Sequence, residues 1–476
     1  MDFKGKKSLL ARINDRKPGR IEWIILIIIL LVPFVTECFY DFLATYTHGY
    51  ALLRATTRGE FFSFYESAKE FTLENGYDGT VKEMWGAVYP LTIYIIFAIW
   101  SVPVAILRKL FEIGLYDVGV IVWYKLLLCI ASAGTIWKMN SILKRADICE
   151  EIRRTVSFLF ASSLFFTMPI FFMSGYDIFL VFFMFWGLDE YIKDSHAYKW
   201  VAVFGLAITF KSFALFVFIP LLLLREKRIL ACIWKLLLSL IPLAICYGLF
   251  IGSDRFLTAS SDFLPGFVQK VFDKTIPGGN APIPIFITGW IALCIWAYMQ
   301  NVESEARDLA VYSAWMGSVA YGLLTSFVYC HPQWIVILVP FIALILGLNW
   351  GKIKINMILE LVGTVTLSFY YILHFAWVYC YQGSLSFVAL RGLGIQKNEE
   401  ISLASLFHNT FSFTFDPAIF GVFVIAMIAL AFINYPKKSN KECQNELLSH
   451  MDYGLIIVRL LVIPALWIAD LFINLS

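Results

Sequence analysis

Apolar runs recur along the whole chain, at 23–40, 87–107, 117–139, 155–173, 178–192, 200–210, 212–224, 229–250, 282–300, 310–328, 333–349, 355–380, 415–434 and 453–473. Crossing hydrocarbon takes a helix of about 20 apolar residues. A chain that repeats such runs with short polar breaks has no stretch from which to build a separate soluble domain. Composition agrees, with 60% hydrophobic and 15% charged residues where a soluble domain carries about a quarter charged. The class is integral membrane protein. The net charge of +3 is no footprint for nucleic acid. The nine cysteines form no CxxC pair and mostly sit inside apolar runs, so neither a disulfide framework nor a zinc site is expected.

Basic residues decide how many runs cross. If all fourteen do, NSILKRADICEEIRR (140–154), REKR (225–228) and YPKKSNKE (435–442) fall outside, against the preference of Lys and Arg for the cytoplasmic side. Withdrawing one run before residue 117 corrects all three. GAVYPLTIYIIFAIWSVP (86–103) is bounded by Pro90 and Pro103 and rich in aromatic residues, as suits a segment lying in the interface or re-entering it. The expectation is an all-α polytopic protein of about 13 transmembrane helices. Its cytoplasmic segments then total 83 residues with 22 Lys and Arg, its outer ones 153 residues with 12. The arm MDFKGKKSLLARINDRKPGR leads into a first run without a small-residue cleavage site, which reads as a retained signal anchor with a cytoplasmic N-terminus.

This topology collects the isolated polar groups at outer helix ends. Asp41 closes the first span, with His48 seven residues on. Asp177 stands in FFMSGYDIFLVFFMFWG, Lys211 between two short apolar arms, and His331 and Gln333 in YCHPQW. Each has an ordinary explanation: a solvated carboxylate, a snorkelling lysine, a histidine that ends a helix. Together they place two acids, an amine and two imidazoles on one membrane face. An amine there can hold a lipid-linked phosphate, and a carboxylate can take the proton of an acceptor hydroxyl attacking a sugar. In the first loop, Arg58, Glu60, Tyr65 and Glu66 can contact sugar or phosphate, though a solvated amphipathic helix explains them equally simply.

MSGYDIF resembles the second outer-loop motif of oligosaccharyltransferase catalytic subunits. The run from Ser174 through GLAITFKSFALFVFIPLLLL is similar to polyprenyl-phosphate-dependent mannosyltransferases. Over residues 20–230 the chain resembles the GT-C superfamily of integral membrane glycosyltransferases, in which a juxtamembrane segment occupies the first outer loop. Beyond 230 the likeness is architectural, with HPQW its most distinctive local feature. The resemblance implies a cytoplasmic basic arm (1–22), a GT-C-like module (23–250) with first outer loop 41–116, and a C-terminal module (251–476) with outer loops 252–281 and 381–414. It implies Asp41 and Asp177 as catalytic acids and Lys211 as a phosphate-facing lysine; His48, Arg58, Tyr65, His331 and Gln333, placed on the same face by the topology, are expected to bind substrate. The family's DxD or ExD is absent, since Asp41 is followed by Phe42, Leu43 and Ala44, and Asp177 is a single acid. A divalent cation (Mg or Mn) is therefore left open and a metal-independent mechanism preferred. No WWD signature is present, which disfavours protein N-glycosylation.

The expected activity is inverting transfer of a sugar from a polyprenyl-phosphate donor to an outer-face glycan, lipid or polymer, with Asp41 as general base and bilayer lipids as surroundings. The Ile/Phe/Lys-rich flavour suggests an AT-rich bacterial source and so a bacterial plasma membrane. The main alternative is a lipid-linked oligosaccharide flippase or polysaccharide exporter, which predicts charge spread through the membrane depth and an inverted repeat. A regulatory membrane subunit without an active site is the third.

Overall fold

The computed structural model describes residues 18–75, 86–193, 197–302, 305–374, 407, 409–411, 415–436 and 453–475. These are helical almost throughout. The first half runs α1 (Arg20–Thr36), α2 (Tyr40–Thr57), α3 (Phe64–Asn75), α4 (Leu91–Trp100), α5 (Val102–Leu110), α6 (Val118–Arg145), α7 (Glu150–Ala161) and α8 (Leu164–Thr167), which continues in a π-helical turn, Met168–Phe172. It ends with α9 (Ile178–Ile192), α10 (Ala197–Phe210), α11 (Leu215–Arg225) and α12 (Ile229–Gly248). The second half holds α13 (Asp254–Asp273), α14 (Ile285–Met299), α15 (Ala306–Phe327), α16 (Val339–Leu348), α17 (Ile353–His374), α18 (Phe415–Ile433) and α19 (Tyr453–Leu475). Among the described residues the only strands are the antiparallel pair Thr275–Ile276 and Ile283–Pro284.

Four helices are long and apolar enough to cross a bilayer: α6, α12, α17 with the turn before it, and α18. Three bent pairs qualify if each counts as one span: α1 with α2 (70°), α4 with α5 (45°) and α7 with α8 (57°). Length and composition thus support four to seven crossings among the described residues, fewer than the expected thirteen. The difference lies in short helices such as α10, α11 and α14, each below about 20 residues. The bends also redraw boundaries. The first run stops at Thr36, and α2 sets off in a new direction that already contains Asp41. The run 155–173 is broken at Ser162–Ser163. The segment 86–103 becomes a kinked pair reaching Leu110. Most of loop 381–414 lies outside the described residues.

Several helices are built inside-out relative to a soluble bundle. α12 buries Cys232, Ser239 and Cys246 and exposes Leu230, Trp234, Leu237 and Ile241. Small residues inward and large apolar ones outward is the arrangement lipid favours, because association there rests on close packing. The same logic closes α6 on α9. At Gly134 a Cβ would come within 2.6 Å of the Phe182 ring, so only glycine admits the crossing. α9 carries an aspartate near each end, Asp177 and Asp189.

Candidate functional site

The loop between α8 and α9 is drawn tight. The π-helical turn at Met168–Phe172 contains Pro169, whose carbonyl accepts from Gly175 N–H at 2.7 Å. Ser174 adopts a left-handed φ of 56°, rare for a residue with a side chain. Its hydroxyl is buried beside the Cys38 thiol. At Gly175 an added Cβ would lie 3.0 Å from the Pro169 oxygen and 3.4 Å from the Gln333 Cβ, so the chain passes too close to both for a side chain. Backbone strain held at one place by surrounding packing is characteristic of functional loops. Here it delivers Tyr176 and Asp177 together, with Asp177 at the N-cap of α9, where the helix dipole favours a carboxylate.

Lys211 comes from the opposite side. It sits in extended conformation (φ −155°, ψ 139°) at the break between α10 and the 3-10 turn Ser212–Ala214. Its Nζ lies 2.5 Å from Asp177 Oδ1, with side chains 11% and 3% exposed. The ammonium also stands 4.9 Å above the Trp334 ring and within 6 Å of Tyr176 and Phe213. Asp41, in the first turn of α2, accepts a 2.9 Å hydrogen bond from the Tyr176 hydroxyl on Oδ2. Its Oδ1 takes no hydrogen bond from any described residue, and the residue is only half-buried. The charges of Lys211 and Asp177 both bear on it. Asp41, Asp177 and Lys211 therefore meet, although 170 positions separate the first from the last.

Lys125, in the third turn of α6 and wholly buried, ties this corner together. Its ammonium donates to the carbonyls of Pro33 (3.2 Å), Glu37 (2.5 Å) and Phe171 (3.1 Å). An ammonium has three protons, and all are taken by backbone just ahead of Asp41 and of Tyr176–Asp177.

The remaining predicted residues divide. His331 caps the 3-10 turn Pro332–Ile337 and packs edge-on against Trp334 at 4.9 Å, joining the cluster. Burial, with the Lys211 and Lys270 charges nearby, brings its imidazole down to about 4, so it is neutral at physiological pH. Gln333 backs onto Gly175, its buried Oε1 without a partner. His48 goes elsewhere: buried in α2, it packs against Tyr94 at 5.8 Å, with Nε2 unpartnered among the described residues. Arg58 is exposed beyond α2 and makes no side-chain hydrogen bond or ion pair to a described residue. Tyr65 is buried among Phe250 and Phe256, its hydroxyl donating to the Tyr89 carbonyl at 2.8 Å. That sets it behind Tyr89, whose ring meets Tyr176 edge-on at 5.5 Å. The first-loop helix α3 docks one face on its neighbours, with Phe64, Tyr65 and Ala68 buried, as an amphipathic helix does.

Sequence reading passed over Tyr176, Tyr89, Trp334 and Lys125. Tyr176 and Trp334 lay inside quoted motifs, and Lys125 interrupts an apolar run as clearly as Asp177 does. Tyr89 lay in the quoted aromatic-rich segment 86–103, where nothing set it apart from its neighbours. Asp177 spends Oδ1 on Lys211, and among the described residues no three His, Cys, Asp or Glu side chains are grouped to hold an ion.

A second polar cluster occupies the other end of α9. Asp189 lies twelve residues from Asp177, roughly 18 Å along the axis. Its carboxylate accepts from Lys138 (3.0 Å), Arg145 (2.8 Å) and Ser141 (2.8 Å), all on α6. Comparison with family models and with curated proteins finds no match to this chain, so the Asp41–Asp177–Lys211 cluster is interpreted from its own chemistry.

Proposed function

We propose that the chain is an integral membrane glycosyltransferase that moves a sugar from a polyprenyl-phosphate donor to a glycan, lipid or polymer at the outer face of a bacterial plasma membrane. Thirteen crossings belong to this reading, several made by short or broken helices with one kinked segment in the first outer loop. So does a cytoplasmic Asp189 end, since Arg145, Arg225 and Lys227 lie in the segments that carry most of the basic residues. The observation that carries the reading is the pair of aspartates in different states of commitment. Asp177 is closed in an ion pair. Asp41 keeps one oxygen free beside a tyrosine that holds the other.

Asp41 Oδ1 then accepts the proton of an acceptor hydroxyl as its oxygen bonds to the anomeric carbon. The bond from that carbon to the phosphate oxygen breaks, and the polyprenyl phosphate leaves with the electron pair. Attack opposite the leaving group inverts the configuration. The Tyr176 hydrogen bond orients the carboxylate, and the Asp177–Lys211 pair shapes the wall.

The transporter reading gains one observation of its own. Charge does run through the interior, in Lys125 and in the Arg459–Glu360 pair that also engages Ser162 and Ser163. These groups are all engaged by hydrogen bonds, which suits structure better than passage of a substrate. The test is transfer from a polyprenyl-phosphate sugar in membranes holding Asp41→Asn or Asp177→Asn. Loss of a general base lowers turnover by about 10² to 10⁴-fold, expected for Asp41→Asn. Undiminished transfer in that variant sinks the mechanism, and labelling of residues 140–154 from outside sinks the sidedness.

A further inference from the structure

The cluster has a charge deficit where a phosphate has to sit. Lys211 is bound to Asp177, and Asp41 adds a second carboxylate, so the three groups together carry one negative charge when both acids are ionised. An anionic donor entering beside them is repelled unless another cation meets it. Lys211 alone cannot serve both partners.

Such a cation stands at the rim. Lys270, in the last turn of α13, places its ammonium 4.9 Å above the Tyr329 ring. It has no ion pair with any described residue. From Tyr329 a strip of rings leads inward. Tyr329 meets His331 at 5.8 Å, His331 meets Trp334 at 4.9 Å, and Trp334 carries Lys211 at 4.9 Å. The strip thus has an ammonium at each end, one neutralised and one not. Both bear on His331 and on Cys330 between Tyr329 and it.

The position of α13 suits a ligand arriving from the bilayer. It buries Phe256 and Val271 and exposes Leu257, Val268 and Phe272, the two-faced pattern of a helix lying in the membrane interface. Its N-terminal end is pinned. Ser253 caps the helix by accepting from Phe256 N–H at 3.2 Å and donates to Glu66 of α3. Phe250 and Phe256 close over Tyr65, the residue behind Tyr89. A helix held this way sets Lys270 at the edge of the site.

We propose that Lys270, with the imidazole of His331 as a hydrogen-bond partner, holds the phosphate of a prenyl-phosphate-linked substrate, while Lys211 positions Asp177. This rests on the reading of the site as a glycosyl-transfer centre and changes the group assigned to the phosphate. A bilayer phospholipid offers the same phosphodiester chemistry, and the experiment separates the two.

The full-length protein in nanodiscs of zwitterionic lipid is titrated with farnesyl phosphate, with farnesol as the uncharged control and phosphatidylglycerol as competitor. A hydrogen bond to a charged group contributes enough that Lys270→Gln is expected to weaken farnesyl phosphate binding by about ten- to a hundredfold. Farnesol binding stays unchanged, Lys270→Arg restores affinity, and phosphatidylglycerol fails to compete. Equal affinity in Lys270→Gln overturns the assignment, as does a wild-type protein that binds farnesol and farnesyl phosphate alike. Competition by phosphatidylglycerol at similar concentration overturns the substrate and leaves a headgroup contact. Wild-type binding that depends on Lys270 without any sugar transfer upholds this inference and removes the enzymatic reading, so the two fail separately.

Discussion

The two ends of α9 present the same residues to different effect. At one end Asp189 is met by a lysine, an arginine and a serine, all from the regular helix α6, and Trp137 and Trp186 flank Lys138. At the other, Asp177 is met by one lysine from a helix break. Around it stand Ser174 with its positive φ, an unpartnered glutamine oxygen and a second aspartate with one oxygen free. A buried carboxylate costs several kcal/mol unless its lone pairs are used. The Asp189 end meets that requirement within the protein. The Asp177 end leaves part of it unmet, and a site for polar ligands is where that arrangement is useful. Saturation, more than the presence of charge, separates a brace from a site.

The contrast breaks most directly by neutralising one acid at each end. Asp41→Asn is expected to keep its folded yield while turnover falls by about 10² to 10⁴-fold. Asp189→Asn is expected to do the reverse: removing one partner of a buried charge cluster costs about 3 kcal/mol, here toward the lower end because Arg145 is one-third exposed. Melting temperature in detergent and transfer per folded molecule read the two quantities apart. Should Asp189→Asn abolish turnover in protein that melts normally, the division into brace and site is wrong.

A smaller effect tests whether the Asp177–Lys211 pair is itself only a brace. Asp177→Asn leaves a mostly buried ammonium facing an amide, and stability is expected to fall. Adding Lys211→Gln removes the unpaired charge, and exchanging a buried ion pair for neutral groups is often close to neutral in stability. The double variant is therefore expected to recover its melting temperature while transfer stays at least about tenfold down, because the wall beside Asp41 has lost its shape and charge. Recovery of both properties would make this end no different in kind from the Asp189 end.

What the sequence disclosed follows the same division. Charges inside apolar runs are conspicuous, and Asp41, Asp177, Lys211 and His331 were found that way and converge in the structure. The rule that flagged Asp177 applies equally to Lys125, Lys138, Glu360 and Arg459, which also interrupt apolar runs. Their partners are backbone carbonyls, or side chains 51 to 297 positions away. Periodicity carries no information about such pairings, so brace and site look alike in one dimension. His48, Arg58 and Tyr65 were grouped with the site through closeness to Asp41 in sequence. They lie downstream of it instead: His48 stands about 10 Å further along α2, and Arg58 and Tyr65 come beyond the end of that helix. Helix length was the other weak point. A broken run such as 155–173 reads as one span, because Ser162 and Ser163 are tolerated inside an apolar helix.

The smallest expected effect is the most specific to the free acid. Tyr176→Phe removes only the hydroxyl that donates to Asp41 Oδ2 and keeps the ring that packs on Tyr89 and lies near Lys211. A hydrogen bond to the ionised carboxylate favours that form, so its loss makes Asp41 easier to protonate. The base is active when ionised. Turnover in the variant should therefore fall off at a higher pH than in the wild type, with the acid limb of the pH–rate profile displaced upward and the plateau above it little changed. A net hydrogen-bond contribution of about 1 kcal/mol corresponds to a displacement of about 0.7 pH unit. A brace would respond differently, lowering the amount of folded protein at every pH without moving the limb. A Tyr176→Phe profile that drops uniformly, with its acid limb in place, would assign Tyr176 to packing and leave Asp41 without the partner that distinguishes it from Asp189.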